Sequence, residues 1–514
     1  MQATSSSAKR IISASTAVWC RLALTVIAQI SLVPVYLSFW SADTFGLWLL
    51  LQAAWSLISV LDVSHVEYVG SKCLLIGANK SKEISKSIMS ALPFSLMLSL
   101  INLILIAILF KCGIFKIILG GNLTESTYYD WTISLFLIAI ASLLFSSFGN
   151  FIVKGVTVFG YYPQIAWWGL LQAALATISP IIVIYYGAGI VGASIAVFIA
   201  NFIYHFLFFI FLIPLGLRVG IFQSKSSLPY GWKQVLSSFY LALAGMGEMC
   251  RQHLMRLFLS PLVGLSEMTR FSTTRTISNL TLQGLATISG PLMPELMRFI
   301  VAKDQDKTET IFGGIWVVLC IALAPATIII QFLAPIFFPI WTRGKVELDP
   351  VLLGILSVSI LVYAIAQPAF MVVRGCNLVK VQLFATLLGA FFSVAGTIFL
   401  APYLGIRGAA ISLLFSELVC SAIYIVAVNT WFCENGLCWP WEALLWPILS
   451  VITAVFSLFL LLNFSTPNQM IVLIFGLSLQ GIFVIIYLYK MPPIVRKHAL
   501  NFLHKFTFNF KLFN

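Results

Sequence analysis

The sequence predicts an all-α polytopic membrane protein with about fourteen transmembrane helices. Three observations predict it: the scarcity of charge, the recurrence of long apolar runs, and the one-sided distribution of basic residues. Of 514 residues, 60% are hydrophobic and only 9% charged, and mean hydropathy is +1.01. Ordinary soluble domains carry about 25% charged residues, so a soluble fold of this length has too little polar side chain to cover its surface. Apolar runs centre near residues 25, 52, 99, 142, 175, 201, 246, 281, 323, 360, 390, 416, 452 and 479. Each is long enough to cross a hydrocarbon core of about 30 Å as a helix. Lipid leaves unpaired backbone groups unsatisfied, which restricts spans to helices or closed barrels. The short alternating segments of a barrel are absent from the sequence.

The elements follow in chain order. The first ten residues, MQATSSSAKR, precede a full-length span with no small-residue cleavage site, so helix 1 is expected to be a retained span. With the N-terminus inside, alternate loops carry Lys9 and Arg10; Lys72, Lys80, Lys82 and Lys86; Arg218, Lys225 and Lys233; Arg298, Lys303 and Lys307; Arg374 and Lys380. The opposite loops hold Lys111, Lys116, Arg343, Lys345 and Arg407. About twenty of the 30 basic residues fall on one side, which the positive-inside rule makes cytoplasmic, with both termini. The net charge of +13 is therefore read as membrane topology and not as nucleic-acid binding. The tail KMPPIVRKHALNFLHKFTFNFKLFN mixes basic and aromatic residues and is expected to lie on anionic headgroups.

An internal repeat divides the spans. GIVGASIAVF begins at Gly189 and GIRGAAISLLF at Gly405, with Gly160 and Gly375 at similar distances upstream. Each copy opens a span after an apolar predecessor. An offset of about six spans, an even number, makes the repeats parallel in the membrane, the plan of transporters that bind cargo between two halves. The expected organisation is a six-helix lobe over 1–218, a second over 219–428, and two extra helices with the basic tail over 429–514.

Charge inside apolar spans marks the candidate site. LALAGMGEMCRQHLMRLFLSPL, residues 241–262, has spanning length yet holds Glu248, Arg251, His253 and Arg256. On a regular helix at about 100° per residue, with Glu248 at zero, Arg251 lies at roughly −60°, Gln252 at 40°, Arg256 at 80° and His253 at 140°. Facing lipid, each charge would cost about 2.5–3.5 kcal/mol at mid-bilayer, so this arc must face protein or a wet cavity. Pairing of Glu248 with Arg251 one turn away accounts for two of the groups. Helix 8 adds Arg270 and Arg275, and helix 1 adds Arg21, against the acids Glu248 and Glu267. Arginine does not shed its proton, so a cationic surplus calls for an anion, and the guanidinium fork suits phosphate, pyrophosphate or an acidic sugar. Arg21, Arg251, Arg256, Arg270 and Arg275 are the substrate-binding candidates. Glu248 and His253, with Asp62 at the end of helix 2, are candidates for carrying H⁺ or Na⁺. Glu248 tempering the arginines, and Asp62 acting as an interfacial cap, are the competing structural roles. His205, beside Asn201, reads as packing polarity.

Catalytic signatures are missing: no Walker loop, no Gly-x-Ser-x-Gly elbow and no His-Glu-x-x-His occurs. Cys433 and Cys438 share the short loop CENGLC without the further ligands a structural zinc needs. No catalytic residue, cofactor or metal site is therefore expected. The chain is expected to act as a secondary transporter and not as an enzyme.

FGLWLLLQAAWSLISVLDVSHVEYV, residues 45–69, resembles the helix 2 signature of polysaccharide flippases through Gly46, Trp48, Leu61 and Asp62, with Ser64 where glycine is usual. GPLMPELMRFIVAKDQDK, residues 290–307, resembles the same family's exit from helix 8. The resemblance is to the Wzx-type O-antigen and polysaccharide flippases of the multidrug/oligosaccharidyl-lipid/polysaccharide exporter superfamily, and it covers essentially the whole chain. It implies two six-helix lobes in a V, plus the two C-terminal helices, around a cationic lumen. It implies movement of an undecaprenyl-pyrophosphate-linked oligosaccharide, such as a lipopolysaccharide repeat unit, to the periplasmic leaflet of the bacterial inner membrane. Coupling to H⁺ or Na⁺ is implied, with membrane lipids and other polysaccharide-assembly membrane proteins as partners. Competing readings are a lipid II flippase, a multidrug exporter, for whose cationic drugs arginines have the wrong sign, and a membrane polymerase or ligase, which needs a large outer loop.

Overall fold

The computed structural model describes residues 7–120, 123–464 and 466–490, so the basic tail beyond Lys490 lies outside the described residues. Those residues are helical almost throughout, with no strand among them. In chain order the helices are α1 (Ser7–Phe39), α2 (Ala42–Ile58), α3 (Val60–Ile76), α4 (Ser81–Lys111), α5 (Ile114–Leu119), α6 (Glu125–Ala141), α7 (Ser147–Val156), α8 (Tyr162–Tyr185), α9 (Ile190–Arg218), α10 (Leu228–Met249), α11 (Met255–Val263), α12 (Leu265–Val301), α13 (Gln305–Val318), α14 (Ala324–Trp341), α15 (Pro350–Gly375), α16 (Val379–Leu404), α17 (Ile406–Asn435), α18 (Trp441–Asn463) and α19 (Thr466–Lys490). Wide π-turns join α6 to α7, α7 to α8, α10 to α11 and α13 to α14.

Among the described residues, eleven helices are long and apolar enough to cross a membrane, and α2 with α3 makes a twelfth if that pair, bent by 50°, is one span. The predicted spans near 246 and 281 are also helical, as α10–α11 and α12. They are absent from those eleven, and they are the helices that carry Glu248, Arg251, Arg256, Arg270 and Arg275. The segments that fall short on apolarity are thus the ones bearing the candidate site.

Contacts divide the chain into two compact units, Met1–Thr269 and Arg270–Asn514. The first unit packs around Val69, Ile84, Ile88, Phe151, Tyr204 and Leu212. It includes α10 and α11, although the repeat pattern starts a second lobe at 219. The reason is side-chain matching. Gln234 of α10 donates to Ser87 of α4 (2.6 Å), the Ser227 N–H donates to Ser90 (2.9 Å), and Ser238 lies 3.3 Å from His65 Nδ1 on α3. Small polar residues of this kind join helices where lipid supplies no hydrophobic drive for association. The boundary expected from the repeat pattern and the contact boundary therefore differ, and the contact boundary describes packing.

The second unit packs around Phe312, Trp316, Leu361, Val372, Phe432 and Trp439. The Trp316 indole donates to the Ile365 carbonyl (3.0 Å), and the C-terminal pair α18–α19 is joined by the Gln480 amide, which reaches both the Ser450 carbonyl (2.8 Å) and the Thr453 hydroxyl (2.9 Å). Both repeat elements open a helix that packs on its predecessor: Gly189 caps α9 after α8, and Gly405 caps α17 after α16. At Gly408 a Cβ would stand 2.6 Å from the Leu400 carbonyl oxygen, so this close approach requires glycine.

Asp349 anchors one end of the second unit. Its carboxylate Oδ1 caps α15 by accepting from the N–H groups of Val351 (3.0 Å) and Leu352 (3.2 Å), and Arg407 of α17 grips it with Nε at 2.7 Å and Nη2 at 3.2 Å. Burial alone would raise the Asp349 pKa, but the Arg407 guanidinium and the two N–H donors outweigh it and hold the carboxyl below its usual value. A depressed carboxyl stabilises the fold above the unfolded pKa of about 3.9, and that contribution is lost as pH falls through the folded pKa. Asp349→Ala is expected to cost about 0.5–2 kcal/mol from the lost cap alone, with more from stranding Arg407. Asp349→Asn keeps much of the cap and should cost less. Thermal unfolding in detergent checks the order, and the gap between wild type and Asp349→Asn should close under acid conditions. Gly408→Val should separate α16 from α17 and lower the unfolding temperature.

Candidate functional site

In the first unit the candidate residues sit where the helices depart from regular geometry. α10 ends at Met249, and Cys250–Leu254 forms a π-turn before α11 resumes. The extra residue in that turn rotates everything after it, so the regular projection of Arg256 and His253 does not hold beyond Met249. Insertions of this type concentrate at functional sites. Glu248 and Arg251 form the expected pair: Arg251 Nη2 donates to Oε1 at 2.9 Å and to Oε2 at 3.0 Å, with the Arg251 side chain 8% exposed and Glu248 21%. His253 is half-buried. Arg256 is also half-buried, and its Nε is enclosed without a hydrogen-bond partner among the described residues.

Asp62 is not a surface cap. It lies in the first turn of α3, just past the bend at Ser59, and is 6% exposed. The Ser95 hydroxyl donates to Oδ1 at 2.8 Å and Ser99 donates to Oδ2 at 3.4 Å, both from α4. One turn along, His65 is fully buried. The break between α2 and α3 is what brings this carboxylate inward, and Gly245 of α10 lies against Val60 and Ser64 there, each 3.5 Å from where its Cβ would stand.

Arg21 stands apart from the residues of α10 and α11. It opens into a cavity of about 200 Å³ formed by α1, α7, α8 and α9, whose polar lining includes Asn150, Tyr162, Gln172, Tyr204 and His205. The guanidinium rests against α8 at Gly169, where a Cβ would be 3.5 Å from Nη1. Arg21 forms no ion pair among the described residues, and no acidic residue lines the cavity. His205 donates through Nδ1–H to the Asn201 carbonyl (2.8 Å) and stacks on Phe145, so the packing role read from sequence is present, with a place in the cavity wall as well. Asn150 and Gln172 escaped sequence reasoning. Their only signal was being lone amides in apolar spans.

In the second unit, Arg270 donates through Nε to the Glu347 carbonyl (3.0 Å) and through Nη2 to the Leu348 carbonyl (3.2 Å), both in the loop before α15. Arg275, one turn further along α12, is 8% exposed. Among the described residues no group of three or more His, Cys, Asp or Glu is placed to hold a metal ion.

No family model matches this chain, and no curated protein does either. Solved structures match closely in shape. The lipid II flippase MurJ in an inward closed conformation superposes with a TM-score of 0.66 at 14% identity, over 93% of this chain and 98% of that one. An inward-facing multidrug resistance MATE family transporter of the MOP superfamily gives 0.65 at 15% identity, over 81% and 98%. A MOP superfamily transporter from Pyrococcus furiosus, described as having a binding pocket of reverse polarity, gives 0.55 at 13% identity, over 87% and 96%. The chain is thus a multi-pass helical membrane protein whose fold is similar to that of these structures. That fold is the one shared by the MATE and MurJ members of the MOP superfamily.

The geometry of the Glu248–Arg251 pair sets an expectation for stability. Breaking a buried pair from one side costs about 3–5 kcal/mol, because the remaining charge stays desolvated. Glu248→Ala should therefore lower the unfolding temperature sharply. The double variant Glu248→Gln with Arg251→Met should recover most of the loss. A double variant no more stable than Glu248→Ala would show that Arg251 is held by other groups.

Proposed function

We propose that this protein is a flippase that moves an undecaprenyl-pyrophosphate-linked oligosaccharide from the cytoplasmic to the periplasmic leaflet by alternating access. The observation that carries the reading is the placement of arginine. In a fold otherwise built from apolar helices, guanidinium groups are concentrated in α10–α11 and α12, the helices absent from the eleven long apolar spans, and in the Arg21 cavity. A transporter fold that retains desolvated cations needs an anion to neutralise them, and pyrophosphate supplies two charges in fork-matching geometry. The cargo-contacting roles fall to Arg21 and Arg256 first. Arg251 and Arg270 already hold protein partners, and with Arg275 they shape the field around the cargo. Glu248, His253 and Asp62 are the groups proposed to carry H⁺ or Na⁺.

A lipid II flippase is the second reading. It is favoured by the MurJ superposition, which extends over 93% of this chain where the two exporters cover 81% and 87%. Both cargoes are polyprenyl pyrophosphates with sugars, so the two readings share the same chemistry at the arginines.

The test is flipping in liposomes. Purified protein is reconstituted with an undecaprenyl-pyrophosphate oligosaccharide, and sugar exposure on each leaflet is read with a membrane-impermeant probe. Wild type should flip the lipid. Loss of a charged hydrogen bond is worth about 1.5–3 kcal/mol, so Arg256→Gln should slow flipping roughly ten- to hundredfold. Unchanged flipping in the variant would remove Arg256 from the cargo path. No flipping by wild type, with or without an imposed ion gradient, would overturn the flippase reading. Faster flipping of lipid II than of the polysaccharide carrier would favour the second reading.

A further inference from the structure

We propose that the Arg21 cavity is a monosaccharide subsite that selects a sugar bearing one negative charge, a uronic acid. The inference rests on the reading that the cargo is a glycan and names the sugar class this unit recognises. The cavity lies wholly within the first unit and is separate from the α10–α11 residues.

Its lining defines the ligand. At about 200 Å³ it has the liquid volume of six or seven waters at about 30 Å³ each, room for a pyranose ring. Asn150 and Gln172 each offer an amide with two donors and an acceptor, and Tyr162 and Tyr204 add phenolic hydroxyls. Such a mixed set suits a ring of vicinal hydroxyls, each of which donates and accepts. A bare phosphate only accepts, and would leave the amide oxygens unsatisfied. His205 engages Asn201 through Nδ1, which leaves Nε2 as the ring nitrogen available to a ligand hydroxyl. The walls supply apolar surface at Ile165, Val153 and Phe208, against which the C–H face of a sugar packs.

Charge fixes the class within sugars. Arg21 is the single cation of the lining, no carboxylate faces it there, and it forms no ion pair among the described residues. One cation matches one anionic group. The absence of lining acids disfavours amino sugars with a free ammonium and cationic drugs alike. Gly169 of α8 lies beside the guanidinium: a Cβ there would be in ordinary contact with Nη1 at 3.5 Å, so a branched or long side chain would crowd the fork.

The experiment measures binding of methyl glucuronide, methyl glucoside and inorganic phosphate to the full-length protein in lipid nanodiscs by saturation-transfer NMR. Expected is tenfold or greater preference for the glucuronide over the glucoside, with phosphate a poor competitor. Arg21→Gln should abolish the preference while keeping residual binding of both sugars. Gly169→Leu, which retains the cation and adds bulk against it, should abolish both, and elution as a monodisperse peak confirms that each variant is folded. Equal binding of the two glycosides, or none of either, overturns the proposal. Phosphate competing as well as the glucuronide while the glucoside does not bind would also overturn it, by making the cavity a bare anion site. Flipping of a lipid-linked oligosaccharide is assayed separately. Flipping with no sugar preference removes this subsite and leaves the flippase reading standing. Sugar binding without flipping does the reverse.

Discussion

The cost of placing a guanidinium in hydrocarbon organises this structure. Arginine stays charged under all accessible conditions, so each one in a span must find a carboxylate, a set of carbonyls or water. The structure uses all three. Arg251 has a carboxylate one turn away, Arg270 has two loop carbonyls, and Arg21 has a polar cavity. What surrounds each cation follows from which solution was taken. A paired arginine is consistent with a rigid helix. A carbonyl-bound one pins a loop to a helix. The cavity-bound one keeps its donors available to something that arrives from outside.

The same cost bears on two of the places where the helices lose regularity, the π-turn at Cys250–Leu254 and the bend at Ser59. A regular α-helix through 241–262 would spread its polar groups over more than half its circumference, and no single protein face covers that arc. The π-turn at Cys250–Leu254 resets the phase between Arg251 and Arg256 and lets the two arginines meet different surroundings. The bend at Ser59 acts similarly on Asp62, turning α3 so that its first carboxylate meets the hydroxyls of α4 instead of headgroups. Each irregularity costs backbone hydrogen bonding, and each sits beside a charge whose desolvation would cost more.

How much of this was legible in sequence depends on whether the cause is local. Spans are legible because hydropathy sums over some twenty consecutive residues. The repeat is legible because Gly189 and Gly405 each cap the helix that follows, and a cap is a local requirement. The Glu248–Arg251 pair is legible because three residues along a helix bring two side chains together. The partners of Arg270 are backbone carbonyls about 77 residues away, and carbonyls carry no residue signature. The cavity around Arg21 takes one wall from each of four helices, so it exists only after packing. The π-turn left no trace either, since CRQHL contains neither the proline nor the glycine that would mark a break. Asp62 reads in sequence as a candidate ion carrier at the end of helix 2, with an interfacial cap as its competing role, because it ends an apolar run. The bend that buries it is a tertiary effect.

The packing also resolves how so polar a helix reaches the membrane. Alone, α10–α11 would carry Glu248, Arg251 and Arg256 into lipid at a combined cost of roughly 8–10 kcal/mol if none were matched. Pairing of the first two within the helix removes part of that cost before any neighbour is met. Other polar groups of α10 and the residue before it are met by helices earlier in the chain: Gln234 and the Ser227 N–H by Ser87 and Ser90 of α4, and Ser238 by His65 of α3. Those contacts hold α10 against helices that precede it in the chain, and the unit boundary falls after Thr269 instead of at the repeat boundary. The residues that make this helix unsuited to lipid are the same ones that give its unit its charge.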